Sequence, residues 1–220
     1  MALAAAELAV QPFTLKRVAK VGDTLVYKLN VDADFGGQKV NVTGKATDKV
    51  VKVSENGEIT TESKQTETKI KVGDQEIPMD EQPVQTTTSD AKGLVIKIEG
   101  DQVDSSVYRL SNMSVFRIPD SAVKVGDKWT HEFKADAKTG AVAGKSEYEV
   151  LAVEKVGSFE TLKVKWTFKE TEGGEPASAE GTVWVDTKDG SMVKAVGNYK
   201  AAPLPGAPGP VDMTITLERE

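Results

Sequence analysis

Alternating apolar and polar residues run through most of this chain. In the clearest segments every second residue is apolar and most of the residues between them are polar or charged, as in antiparallel sheets with one buried and one wet face. The three clearest apolar sets are Leu25, Tyr27, Leu29 and Val31, then Leu162, Val164, Trp166 and Phe168, and finally Val211, Met213, Ile215 and Leu217. Few segments carry a helical period. The pattern therefore predicts an all-β, antiparallel chain with little helix.

Turn and linker signals divide these segments. Asn56–Gly57 and Asp189–Gly190 predict hairpin turns, and Lys71–Asp74 predicts a turn that leads to a further short strand. Val107–Ile118 reads as a strand or as a short helix that crosses between two halves of the chain, and the proline that follows it favours a break. Ala201–Pro210 holds four prolines and predicts a stiff, extended connector before the last strand.

The chain also repeats itself. Three pairs of segments match in the same order, namely Lys20–Leu29 with Lys124–Phe133, Gly44–Lys45 with Gly144–Lys145, and Gly93–Ile96 with Gly181–Trp184. Ordered matches of this kind indicate duplication of a unit of roughly 100 residues. We therefore expect a first β half over residues 11–118 and a second over 119–220. They would form one continuous architecture, a strongly curved sheet, half-barrel or sandwich.

The two halves differ in one strand. Thr60–Lys69 is polar at every position, whereas its counterpart in the second half, Leu162–Phe168, is apolar on one face. A strand that is polar on both faces gains nothing from an apolar core. This segment is therefore expected at a sheet edge or protruding into water.

Composition and charge narrow the partners. The chain has 220 residues, a formal net charge of −6 and no cysteine, and its lysines are interspersed with acids. This disfavours nucleic acid, and it excludes disulfides, thiolate nucleophiles and cysteine-ligated metals. No stretch approaches the ~18 consecutive apolar residues of a membrane-spanning helix, so no transmembrane segment is expected. Residues 1–10 begin with an alanine-rich run typical of the end of a secretory signal, which predicts a signal remnant or a disordered start.

Two motifs resemble those of known families. Ile118–Trp129 carries a proline followed by V-x-V-G-D-x-W, which resembles exported bacterial proteins of uncharacterised function. Gly181–Val193 resembles a strand–turn–strand of the same group, and it is similar to a hairpin of the periplasmic lipoprotein-carrier superfamily. That superfamily folds as an open half-barrel around an apolar cavity. The resemblance implies this fold, a secreted or periplasmic, cell-envelope location, and an apolar or lipid-like ligand.

Residues that could support catalysis are scarce. His131 is the only histidine, which limits triads, histidine-based metal sites and most general-base schemes. Asp32, Asp34, Asp186 and Asp189 flank turns without the spacing of a calcium loop. The phosphate-loop, nucleophile-elbow and zinc-protease motifs are missing from the sequence. We therefore expect a protein that is not an enzyme, with no cofactor and no metal.

Large rings and their neighbours are the candidate ligand-lining residues. In a β protein of low aromatic content such rings usually fill the core, and an aromatic lining of a ligand cavity is the functional alternative. The candidates are Tyr27, Trp129, His131, Phe133, Trp166 and Trp184.

Two functional interpretations remain from the sequence. The first is a secreted or cell-envelope binding module that carries an apolar or lipid-like molecule in a groove of a curved sheet. The second is an extracellular structural or assembly protein whose edge strands mediate self-association. A hydrolase is disfavoured because no nucleophile–base pair is evident. A cavity would favour the first, whereas a filled core with an apolar surface patch would favour the second.

Overall fold

A computed structural model describes residues 11–101 and 103–220. The chain is 57% strand and 5% helix, which confirms the all-β prediction. The strands are β1 (Thr24–Phe35), β2 (Gln38–Val53), β3 (Ile59–Val72), β4 (Gln75–Pro78), β5 (Gln85–Ser89), β6 (Val95–Glu99), β7 (Lys128–Phe133), β8 (Gly144–Val156), β9 (Phe159–Glu170), β10 (Ser178–Asp186), β11 (Met192–Ala202) and β12 (Val211–Arg219). The helix α1 spans Ser105–Ser114.

All strands belong to a single antiparallel sheet. Its order is β6-β5-β3-β2-β1-β12-β11-β10-β9-β8-β7, and β4 pairs with β3 beside this path. The two end strands do not pair with each other within the described residues, so the sheet is curved and open. The fold is thus an open curved sheet and not a two-sheet sandwich. The last strand, β12, occupies the centre, where it pairs with β1 on one side and β11 on the other.

The connection between β6 and β7 crosses the concave face, because these strands lie at opposite edges of the sheet. We call residues 103–127 the crossing segment. It begins with α1, and Asp104 caps this helix by accepting hydrogen bonds from the backbone nitrogens of Ser106 and Val107. The helix ends at Ser114, and Val115 is already extended. Of the two structures that the sequence left open for this region, the helix is therefore the one formed.

Buried polar contacts hold the crossing segment in place. Arg109 of α1 donates from Nε and Nη2 to the two carboxylate oxygens of Glu170, both at 2.7 Å. Glu170 is almost fully buried, and it also accepts from the backbone nitrogen of Ala177 at 2.7 Å. The Tyr148 hydroxyl donates to the carbonyl of Val115 at 2.9 Å. The middle of α1 and the residue that follows its end are thus tied to the sheet by buried side chains of β9 and β8.

The apolar core lies mainly in the second half of the chain. Met113 of α1 is fully buried against it. Core residues on β8 to β11 include Tyr148, Val150, Leu162, Val164, Trp166, Phe168, Val183, Val185 and Tyr199. The concave side of the first half is less covered, since Leu25, Leu29 and Val31 are only half-buried. The crossing segment therefore fills one part of the concavity and leaves another part open.

The two K-V-G-D segments form turns with the same hydrogen bonds. Gly22 N donates to Val50 O, Val50 N to Asp23 O and Lys20 N to Asp23 Oδ2, and the same three bonds join Gly126 to Val150, Val150 to Asp127 and Lys124 to Asp127. Leu29 faces Gly44 as Phe133 faces Gly144. The third sequence match needs correction, because Gly93 lies in the turn after β5, whereas Gly181 lies inside β10. Sequence similarity between glycine-led apolar runs does not distinguish a turn from a strand.

The polar strand is at an edge only in its middle part. Residues 60–69 belong to β3, which pairs with β2 on one side; on the other side residues 59–63 pair with β5 and residues 69–72 with β4, and residues 64–68 lie between these two ladders. The prediction of an edge is therefore wrong for both ends of the segment, because an interior strand needs partners for its backbone groups, not apolar side chains on both faces. Thr61 and Ser63 face the open part of the concavity, where polar side chains remain in contact with water.

Candidate functional site

A cavity of about 660 Å³ lies between the concave face of the sheet and the crossing segment. We call it the groove. The sheet contributes one wall through β1, β2, β3, β9, β10, β11 and β12, and residues 17–19 and 114–118 contribute the other. Its apolar lining residues are Leu25, Val50, Ile59, Val115, Phe116, Ile118, Trp166, Val183, Val185, Met192, Ala195, Tyr199, Ile215 and Leu217. The volume and the apolar lining are typical of small-molecule sites.

Two paired glycines lie beside the aromatic floor of the groove. Gly181 of β10 lies directly opposite Gly197 of β11. A Cβ on Gly197 would lie 3.0 Å from Trp166 Cζ2 and 3.0 Å from Tyr199 Cε2. The rings of Trp166 and Tyr199 lie 6.0 Å apart between centroids. The missing Cβ of Gly197 thus leaves room for these two rings, whereas a Cβ on Gly181 would meet the backbone of β11 at Val196 and Gly197.

One end of the groove is polar. Arg17, from the segment before β1, donates from Nη1 to Ser89 Oγ at 2.6 Å. The Tyr27 hydroxyl donates to the carbonyl of Met192 at 3.1 Å, and burial raises the pKa of this phenol far above its usual range. Burial also raises the pKa of Asp48 and lowers the pKa of Arg17, because both charged forms lose hydration.

A second arginine belongs to the same end. Arg219 is directly opposite Tyr27 in the β1–β12 ladder, and its Nη1 donates to Ser191 Oγ at 2.9 Å. Its guanidinium lies 4.5 Å from the centroid of the Phe159 ring. Asp189 accepts from the backbone nitrogen and the hydroxyl of Ser191. Positively and negatively charged side chains therefore both lie at this end, which we call the mouth of the groove. Arg17, Arg219 and Asp189 each form hydrogen bonds with a serine.

The structure brings two of the six candidate residues to the groove. Tyr27 and Trp166 line it. Trp129, His131 and Phe133 lie on the concave side of the edge strand β7, and they contact the crossing segment and neighbouring rings instead. Trp129 stacks on Tyr148 with centroids 5.1 Å apart and donates from Nε1 to the carbonyl of Arg117.

Trp184 requires a correction. It lies on the convex face, where its indole nitrogen donates to Glu154 and the Lys163 ammonium lies 5.2 Å from the ring centroid. The reason is strand parity, since Val183 and Val185 point into the groove and the residue between them must point away.

His131 is half-buried. Its ring meets Phe133 edge to face at 4.7 Å. Burial lowers the pKa of the imidazole, and the positive charge of Arg117 lowers it further. Within residues 11–101 and 103–220, no cluster of three histidine or acidic side chains could hold a metal ion.

Arg17, Asp48 and Arg219 were not singled out in the sequence. Asp48 and Arg219 lie at positions where strand alternation places them on the concave face, which is a usable signal. Arg17 precedes the first strand, and its partner Ser89 is 72 residues away. Nothing local in the sequence indicates that contact.

A second depression, of about 730 Å³, lies near the β1–β2 hairpin, and most of the residues that line it, among them Asp32, Asn41 and Asn198, are on the convex side of the sheet. It is wide and open, and its rim carries Lys39, Lys71, Lys200 and Asp212 around a small apolar floor that includes Met213. It lacks a covering segment, so it encloses a ligand less completely than the groove does.

Fold and groove together define a class, an open curved antiparallel sheet with an apolar cavity on its concave side. No family model matches the chain, and no curated protein matches it. Among solved structures, lipovitellin is similar with a TM-score of 0.50 and 11% identity over 90% of this chain. The chain spans 25% of the length of that lipovitellin chain. This likeness shows a shared fold.

Two further structures are weaker matches. The hypothetical lipoprotein YmcC from Escherichia coli has a TM-score of 0.34 and 14% identity, over 92% of this chain and 90% of its own. An exported-protein candidate with a YmcC-like fold from Bacteroides fragilis has a TM-score of 0.40 and 13% identity, over 95% of this chain and 99% of its own. In the described part of the chain, no helix is both long and apolar enough to span a membrane.

Proposed function

We propose that this protein is a non-enzymatic binding module that carries an apolar or lipid-like molecule in the groove. The observation that carries the proposal is an apolar cavity of about 660 Å³ between the curved sheet and the crossing segment. Sites of this volume and lining accommodate ligands of drug or lipid-fragment size. Lipovitellin, whose structure concerns lipid–protein interactions, shares the fold and not the residues.

The absence of a suitable catalytic arrangement supports a binding role. The one histidine lies on β7, away from the groove lining. The groove's polar residues include Arg17, Tyr27, Asp48, Asp189, Ser191 and Arg219, and neither histidine nor lysine is among the described residues that line it. We propose a secreted or cell-envelope location on the resemblance of residues 118–129 and 181–193 to exported bacterial proteins.

The rival, assembly through edge strands, is less well supported. The edge strands β6 and β7 have five and six residues. Both carry charges, among them Lys97 and Glu99 on β6 and Lys128 and Glu132 on β7. Short, charged edges are a common protection against strand-to-strand association.

The proposal is tested by filling the groove. Ala195 lies on its wall, whereas Val196, the next residue on β11, faces the convex side. We expect Ala195→Phe to abolish binding of a fluorescent fatty-acid probe and Val196→Phe to leave it unchanged. Melting curves of both variants control for loss of fold. If the wild type binds no apolar probe, or if both variants bind it like the wild type, the proposal is wrong.

A further inference from the structure

We infer that the groove selects an amphiphile with an anionic head, a carboxylate or phosphate monoester, which Arg17 and Arg219 hold while its tail lies over Trp166. This inference rests on the proposed function and specifies its ligand. It follows from three features of the polar end of the groove, namely the surplus of donors on the arginines, the change in polarity along β12 and the partners of the nearby acids.

The arginines have more donors than partners. Arg17 bonds to Ser89 Oγ and Arg219 to Ser191 Oγ, both neutral hydroxyls. In the part of the chain that the structure describes, neither guanidinium has a carboxylate within 4.0 Å, although Arg109 and Arg117 each have one. A guanidinium carries five N–H donors in a fork that fits carboxylate and phosphate oxygens. Most of these donors are therefore available to a ligand at the groove.

Along β12, the central strand, the concave side changes from charged to apolar, which matches the polar head and the apolar tail of an amphiphile. Alternate residues of β12 face the concave side, so Arg219 is followed inward by Leu217 and Ile215. Beyond them lie the Trp166 and Tyr199 rings. A head at the arginines would thus place an alkyl tail along a continuous apolar surface.

The acids near the mouth are the main argument against an anion, and each has donors of its own. Asp189 Oδ1 accepts from the backbone nitrogen and hydroxyl of Ser191 at 2.8 and 2.5 Å. Asp48 accepts from Ser63 Oγ at 2.6 Å, and burial raises the pKa of this carboxyl. Asp23 accepts from the backbone nitrogen of Lys20.

The two arginines differ from these acids, because most of their donors remain available to a ligand. Burial lowers the pKa of Arg17 because the guanidinium has lost hydration, and an anionic head would restore a favourable environment for its charge. The unsatisfied groups at the mouth are therefore mainly donors and positively charged, so the complementary ligand group is an anionic acceptor.

The test compares heads on one tail. Isothermal titration calorimetry of the full chain with dodecanoate, dodecyl phosphate, dodecanol and dodecyltrimethylammonium measures the head preference. The three ionic amphiphiles are kept below their critical micelle concentrations and dodecanol below its solubility limit. We expect the two anions to bind about tenfold or more tightly than the other two, because hydrogen bonds to charged groups are the strong ones. Inorganic phosphate alone should bind far more weakly than dodecyl phosphate, which identifies an amphiphile as the source of the anion.

Substitutions then identify the residues that bind the head group. Arg17→Gln and Arg219→Gln should each weaken anion binding about tenfold and leave dodecanol binding unchanged. The matched control is Lys28→Gln, which removes a positive charge from the exposed, convex side of β1 and should change nothing. Melting curves verify that each variant is folded, and Arg17→Lys, which keeps the charge, should retain part of the preference.

The outcomes separate the two proposals. If dodecanol and the anions bind equally well and Ala195→Phe abolishes both, the groove stands and the anionic head is wrong. Tighter binding of the cationic probe, or equal binding of inorganic phosphate, also overturns the inference. If no probe binds the wild type, the proposed function itself fails.

Discussion

The buried ion pair between α1 and β9 allows a quantitative test of how the crossing segment is held. Arg109 and Glu170 form two hydrogen bonds of 2.7 Å, and their side chains are 25% and 1% exposed. Arg109→Met keeps an unbranched apolar stem and removes the charged guanidinium. Glu170 then remains buried with the backbone nitrogen of Ala177 as its donor.

The free-energy cost of Arg109→Met follows from the Glu170 carboxylate, which loses its charged partner. Removing one partner of a buried pair destabilises a protein by about 3–5 kcal/mol, because the remaining charge loses its ionic partner, and Glu170 then keeps the Ala177 N–H as its donor. Since Arg109 is a quarter exposed, water can enter its place, and we expect the lower end, about 3 kcal/mol. Such a loss is a large part of the ~5–15 kcal/mol by which domains are stable.

Urea unfolding of the variant and the wild type measures this difference. Lys69→Met is the matched control, because it breaks an ion pair with Glu76 that has the same 2.7 Å distance but lies in water. We expect no measurable change there. Equal losses in the two variants, or a loss under ~1 kcal/mol in Arg109→Met, would refute the view that burial makes this pair the anchor of α1. The double variant Arg109→Met/Glu170→Leu should recover only part of the lost free energy of unfolding, since the Ala177 nitrogen loses its acceptor.

Two further predictions concern the whole sheet and its pH dependence. A chain that ends at Pro210 lacks β12, whose concave apolar residues contribute on the order of 5 kcal/mol or more, so it should be insoluble or melt far below the full chain; an unchanged melting temperature would contradict this. Burial raises the pKa of Asp48, so its favourable contribution is present below pH ~4 and is lost as pH rises through the raised pKa. Melting curves should therefore show Asp48→Asn gaining on the wild type between pH 4 and 7, and a constant difference would contradict the assignment.

Much of the sheet could be predicted from alternation, but the side of each residue could not. Alternation identifies Val183, Trp184 and Val185 as a strand, and it leaves open which face is concave. The large ring suggested the inner face, yet the sheet places the two valines there and the indole outside. Parity can be read locally, whereas the direction of sheet curvature is a property of the whole assembly.

The helix and the polar strand show what a local pattern omits. Asp104 is a recognisable N-cap, so α1 could have been preferred over a strand from the sequence. The interior position of β3 could not, because its neighbours β2, β4 and β5 supply backbone partners whatever the side chains are. The groove residues Arg17 and Ser89 meet across 72 positions, and only the assembled fold brings them together.

The groove forms because the two halves of the chain share similar K-V-G-D turns but differ in the side chains that their strands present to the concave side. Both K-V-G-D turns make the same bonds, yet the strand after the first hairpin presents Thr61 and Ser63 to the concave side, whereas β9 presents Leu162 and Val164. The crossing segment is amphipathic and has one apolar surface to bury, so it packs where the sheet is apolar. The polar half offers it no comparable gain. The boundary between a covered apolar wall and an open polar one is where a cavity forms, and that is where the structure has it.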